Sequence, residues 1–200
     1  MDRAGQSPTV AVEIYVLSRY AIRSCCALLL LWLSGCASPP PPDLMAASAI
    51  SFTEPGFFLP PGTALAWRSD PRYLFDDPAD RPEDFRPLLK EEMERFLASR
   101  GNAVDPDRAE YGVLAVAVLG ADLDAEAVLR EFRLTPSFPA SRQYPRGTLV
   151  VAIYSLTDEK VLWRGAIQAH IDVSEPEQTR RERLRAHVAR LLNLVPARAV

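Results

Sequence analysis

The sequence predicts an α+β domain in which a mixed, roughly four-stranded sheet is packed by two main helices. Three observations predict it. Two stretches repeat apolar residues at three- and four-residue spacing, around Phe85–Leu97 and Leu184–Val195. Several aliphatic runs have the length of strands rather than helices. The order strand, helix, strand, crossing, hairpin, helix is that of a layered α+β domain rather than a regular β-α-β succession.

The first strand is read at Gly62–Arg68, after Pro60-Pro61, with Leu65 and Trp67 on one face. Ser69–Pro82 is rich in Asp, Pro and Arg and reads as a loop in which Tyr73, Leu74 and Phe75 turn toward the core. Asp84 is placed to cap a helix carrying Phe85, Leu88, Leu89, Met93, Phe96 and Leu97 and ending at Arg100-Gly101. Pro87 falls in its first turn, where a missing N–H costs no helical bond. Tyr111–Val118 is a continuous apolar run, as in a strand covered on both faces. A short helix is expected from Asp124 to Phe132, then an irregular crossing from Thr135 to Arg146. Gly147–Leu156 and Lys160–Ile171 read as the two strands of a hairpin joined by Thr157-Asp158-Glu159. A last helix opens near Glu175-Pro176, with Leu184, Val188, Leu191 and Val195 in one stripe.

Ahead of this domain lies a different kind of segment. From Arg23 the chain runs Ser24-Cys25-Cys26-Ala27-Leu28-Leu29-Leu30-Leu31-Trp32-Leu33-Ser34-Gly35-Cys36. A membrane span needs about 20 apolar residues, so this run has the length of a signal-peptide core. Leu33-Ser34-Gly35-Cys36 resembles the bacterial lipobox. That resemblance implies cleavage between Gly35 and Cys36 and lipid on the Cys36 thiol. The four prolines Pro39 to Pro42 favour an extended polyproline conformation. The expected organisation is therefore a signal peptide over 1–35, a lipidated cysteine and tether over 36–56, and one domain over 57–196. The stretch before Arg23 is long for a basic leader and Thr9–Val16 reads as strand-like, which places the expected start near Val16.

Whole-chain charge is balanced, with 23 basic and 26 acidic side chains giving −3, so no nucleic-acid partner is expected. Removing residues 1–35 takes away Arg3, Arg19, Arg23, Asp2 and Glu13 and leaves 20 basic and 24 acidic, a net −4. Of the three cysteines only Cys36 would remain, so no disulfide can staple the exported domain.

The succession of Ala66-Trp67, a helix ending at Arg100-Gly101, Gly147-Thr148-Leu149-Val150-Val151 and Leu162-Trp163-Arg164-Gly165 resembles the small bacterial lipoproteins of the domain-of-unknown-function 4136 type. The likeness spans most of residues 50–195 and agrees with the lipobox. It implies an exported, lipid-anchored α+β domain in the cell envelope with no assigned activity. Ala37 and Ser38 after the cysteine, with no Asp at the second position, imply sorting to the outer membrane, facing the periplasm.

Motifs for chemistry are sparse. His170 and His187 have no Cys, Asp or Glu at metal-ligand spacing, and no nucleophile elbow or phosphate-cradling loop occurs. The expectation is a non-enzymatic binding or scaffolding domain with no metal and no cofactor. Its partners would be the bilayer, through acylated Cys36, and an envelope protein or anionic envelope lipid. Arg181, Arg185 and Arg190 flank the stripe of the last helix, where their stems can simply cover apolar surface or their charges can meet anionic groups. Trp163 and Arg164 join these candidates if they are exposed, core packing being the competing reading for Trp163. The alternative is a small-ligand-binding or hydrolytic domain with a cleft near residues 135–146, for which a deep pocket with convergent polar groups would speak.

Overall fold

The computed structural model describes residues 45–75, 85–119, 125–135, 138, 144–172 and 174–197, all within one compact unit, Pro42–Val200. The signal segment, Gly35, Cys36, the proline run, Asp84 and most of the 135–146 crossing lie outside the described residues.

The elements are β1 (Ala47–Thr53), β2 (Ala64–Trp67), β3 (Arg72–Phe75), α1 (Phe85–Ser99), β4 (Ala103–Val104), β5 (Tyr111–Leu119), α2 (Ala125–Glu131), β6 (Arg146–Ser155), β7 (Val161–His170) and α3 (Glu177–Leu192). They form one mixed sheet in the order β1-β7-β6-β5-β2-β4, with β3 also on β5. The α+β class is as expected, but the sheet has seven strands rather than about four.

The three additional strands have identifiable causes. β1 lies inside the segment read as tether, because Ala-Ser-Ala-Ile-Ser-Phe-Thr carries a weak strand pattern. It becomes a strand by pairing antiparallel along β7, from Ala47 opposite Ala169 to Thr53 opposite Trp163. β3 lies inside the stretch read as a loop. It runs parallel to β5 from Arg72 opposite Val116 to Phe75 opposite Leu119, on the edge where β2 already pairs with Leu65 opposite Tyr111. β2 and β3 are thus successive pieces along one edge, interrupted at Ser69-Asp70-Pro71, where proline has no N–H to give the ladder. Tyr73 is buried as expected, but Leu74 is exposed. β4 is two residues long, too short for any sequence pattern.

Alternation along the central strands divides the side chains between two faces. Leu149, Val151 and Ile153 of β6, with Val113 and Ala115 of β5 and Trp163 and Ile167 of β7, form the main core. Leu89, Met93 and Leu97 of α1 and Val188, Leu191 and Leu192 of α3 join it there. The other face is partly covered as well, since Leu129 of α2 and Leu134 pack with Val150 and Ala166. This explains why β6 is buried from Thr148 to Tyr154 on both faces.

Local chemistry ends the elements where the sequence suggests. Gly101, at φ +79°, follows α1 in the left-handed conformation that glycine adopts without a Cβ clash. The Asn102 N–H donates to Leu97 O at 3.0 Å and the Gly101 N–H to Ala98 O at 3.0 Å, the paired closure of a Schellman turn. In the β6–β7 turn the Ser155 hydroxyl oxygen accepts from the N–H groups of Thr157 at 3.2 Å and Asp158 at 3.4 Å.

Candidate functional site

The arginines of α3 divide by helical position. Arg185 and Arg181 face α1. Glu92 of α1 is a wholly buried carboxylate, and Arg185 donates to it through Nε at 3.0 Å and Nη2 at 3.2 Å. Arg95 adds two more donations at 2.8 and 2.9 Å. Burial by itself would raise the Glu92 carboxyl, but the hydrogen bonds and charges of Arg185 and Arg95 outweigh it and hold the group below its ordinary value. Arg181 lies 3.4 Å from Glu91 and 3.7 Å from Glu177. These two arginines therefore join the helices to each other, and their charges are already engaged within the domain. Arg190 is exposed and has no acidic partner within ion-pair distance among the described residues.

Trp163 is fully buried beneath α3, so a role that requires its exposure does not hold. The sequence Trp163-Arg164-Gly165 has a packing logic. A Cβ on Gly165 would stand 2.6 Å from the Trp163 ring and 3.0 Å from Leu191, so the glycine makes room for the indole and the helix on the core face. Arg164 points to the opposite face, where its guanidinium sits 4.2 Å from the Phe52 ring centroid. Beside it, the Tyr154 ring folds over Gly112, where a Cβ would lie 2.0 Å from Cζ, and Arg68 stacks on that ring at 5.1 Å. Phe52 is among the exposed large apolar residues. On the outer sheet face Arg164 thus caps the exposed Phe52 ring, and Arg68 caps the Tyr154 ring, which is itself buried.

A second feature lies on the core side, where the first turns of α3 pass over the sheet. A cavity of about 100 Å³ is bounded by apolar side chains including Leu89, Leu149, Ile167 and Leu184, and Arg180, Arg183 and His187 also line it. Arg183 is held by an ion pair with Glu175. His187 is buried, and burial first, then the charges of Arg183 and Arg190, push it down to about 4, so its ring is neutral at pH 7. Sequence reasoning did not single out this group. The spacing of 180, 183, 184 and 187 places all four residues on one side of a helix, but the sequence does not show that the sheet beneath leaves a gap. His170, the other histidine, is also buried and packs on Phe138 at 4.8 Å between ring centroids.

Among the described residues no group of three or more His, Cys, Asp or Glu side chains is gathered as a metal site, and no helix is long and apolar enough to cross a membrane. Of the crossing proposed as a cleft, the described residues are Thr135, Phe138, Tyr144, Pro145 and Arg146, and none of these five lines the cavity under α3.

Among the described residues these features define a mixed-sheet α+β domain with two helices on one face and a short third helix on the other. No protein-family model matches the chain, and no curated protein matches it. Solved structures that the chain resembles include the PelC dodecamer from Paraburkholderia phytofirmans, at 8% identity and TM-score 0.47, covering 77% of this chain and 100% of that one. A DUF4136 family protein from Bacteroides thetaiotaomicron is similar at 12% identity and TM-score 0.45, covering 76% and 96% of the two chains. A DUF330 family protein from Xanthomonas campestris matches at 12% identity and TM-score 0.33, covering 69% and 83%. The second of these belongs to the family that the sequence resembles.

Proposed function

We propose that this chain is a bacterial lipoprotein precursor and that its folded domain is a non-catalytic binding or scaffolding module of the cell envelope. The observation that carries the reading is Leu33-Ser34-Gly35-Cys36, at the end of an apolar run too short to span a bilayer and ahead of four prolines and a domain with its own core. Three acyl chains on Cys36 would anchor the domain effectively irreversibly, since each buried methylene adds about 0.8 kcal/mol. The exposed Phe52 ring under Arg164, with the exposed Arg68 on the same face, supports the binding role, because aromatic and arginine side chains carry much of the energy of protein interfaces.

Two measurements test this. Labelling with a fatty-acid analogue should mark the native chain and not the Cys36→Ala variant, which should also leave the membrane fraction or persist uncleaved. An unlabelled native chain would overturn the anchor. Cross-linking in intact envelopes should capture a discrete partner that is lost on Arg164→Glu, and failure to recover any partner from native envelopes would overturn the scaffold.

A further inference from the structure

β1 closes one side of the sheet, and among the described residues no strand pairs with its outer edge. Its register along β7 runs unbroken from Ala47 to Thr53, and each of its seven residues keeps some exposure. The ladder shows which backbone groups that edge offers. The Glu54 N–H donates to Leu162 O at 2.8 Å, and on the far side of β7 the Ile171 N–H donates to Pro145 O at 2.9 Å. In an antiparallel ladder alternate residues bond opposite neighbours. Even-numbered residues of β1 therefore bond β7, and Ala47, Ala49, Ser51 and Thr53 turn their N–H and C=O groups outward. Folded proteins commonly block such an edge with charge, proline, a bulge or shortness. The opposite side of this sheet does so, since β4 is two residues long and β3 follows Pro71 and opens on Arg72. The β1 stretch Ala-Ser-Ala-Ile-Ser-Phe-Thr has no charge, no proline and no glycine.

We propose that β1 is a self-association edge, at which a second copy of this chain adds its own β1 antiparallel and the two sheets become one. Self-pairing must bring outward-facing residues together, which happens only when the two-fold axis passes through a residue rather than between two. Centred on Ile50, that axis pairs the whole strand. Ala47 then exchanges hydrogen bonds with the partner's Thr53, and Ala49 with the partner's Ser51, so every outward N–H and C=O is satisfied. Ser48 faces the partner's Phe52, and Ile50 meets its own counterpart in a close, non-hydrogen-bonded pair. Ile50 already packs with Leu129, Leu134, Val150 and Ala166 on the outer face, so the dimer joins two such clusters across the axis. No like charges oppose each other, since Glu54, just beyond the strand, is tied to Lys160 at 3.2 Å. The strand is thus its own complement in length, charge and hydrogen-bond phase, which is what selects a second copy as the partner. A contact of this isologous kind uses both open edges and stops at two copies.

The register makes the test specific. The full chain is expressed with single added cysteines, and whole cells are treated with a short, membrane-permeable bismaleimide. Mass spectrometry of the cross-linked peptides separates these bridges from any made at Cys25, Cys26 or Cys36. Ile50→Cys should bridge to its own copy. Ser48→Cys and Phe52→Cys should each fail to self-bridge, because like positions lie four residues apart, about 14 Å. Expressed together, they should bridge to each other. Ser51→Pro removes an outward N–H that β7 does not use, a place where an edge strand accepts proline. It should lower the self-bridge at position 50 at least about tenfold while the near-ultraviolet circular dichroism of the purified chain stays native. A folded Ile50→Cys chain that does not self-bridge, or an unchanged yield with Ser51→Pro, would overturn the proposal. So would a Ser48→Cys chain that bridges to itself as readily as to Phe52→Cys. Bridging of position 50 to a different protein instead would also overturn it and would give the edge to that protein. If Ile50→Cys does not fold, the mixed Ser48→Cys and Phe52→Cys pair decides. Neither lipidation at Cys36 nor a partner at Arg164 is assumed, so this reading and the proposed function stand or fall separately.

Discussion

Acidification should destabilise the domain through His187 before the carboxylates titrate. The folded protein lowers this histidine from 6.5 to about 4. Between those values the unfolded chain binds a proton that the folded chain refuses, so stability is complete above pH 6.5 and is lost as pH falls toward 4. One pKa unit is worth about 1.4 kcal/mol, so the full effect of the depression is about 3 kcal/mol, of which about 2 is felt by pH 5. Against a typical total of about 5–15 kcal/mol, that is a large share. Urea unfolding of the full chain at half-unit steps from pH 7.5 to 4 should show this decline with an unchanged m-value. His187→Gln, which cannot gain the charge, should flatten the profile between pH 6.5 and 4. An equal slope in native and variant chains, or a His187 titration midpoint near 6.5 in the folded protein, would refute the reasoning.

Glu92 controls a lower window. Its folded carboxyl lies below 4.5, so its contribution is present above that pH and disappears as pH falls through the lowered value. Glu92→Gln should cost about 1–3 kcal/mol at pH 7 and remove the acid limb below pH 4.5, as measured by the same urea series. The variant should also release Arg185, and a double-mutant cycle with Arg185→Gln should show favourable coupling between the two positions. Gly165→Ala should destabilise by about 1–3 kcal/mol and change the near-ultraviolet circular dichroism, because the new methyl meets Trp163 and Leu191. Gly112→Ala should instead displace the Tyr154 ring and break its stacking with Arg68, which tyrosine chemical shifts would report.

Much of the domain was legible in the sequence where the signal is local. Helices α1 and α3 could be read because Leu88, Leu89, Met93 and Leu97, and then Leu184, Val188 and Leu191, each keep to one side of a 3.6-residue period. The β6–β7 hairpin could be read because two aliphatic runs flank a short polar turn, and the end of α1 because Arg100-Gly101 accommodates a left-handed residue. The lipobox is a contiguous pattern and needs no fold to be recognised. What could not be read is whatever depends on a partner distant in sequence. β1 is a strand because β7 lies beside it, and β3 because β5 offers the rest of an edge that β2 began.

The same division runs through the candidate site. The sequence determined that Arg181, Arg185 and Arg190 would flank the last helix stripe, but not which would be free. Only packing decided that Arg185 and Arg181 would be taken up by Glu92 and Glu91, that Trp163 would be covered, and that Arg180, Arg183 and His187 would line one largely apolar cavity. The reason is physical. Helical period and turn chemistry act over a few residues and are written in order along the chain, whereas an ion pair or a cavity exists only where α1, α3 and the sheet converge.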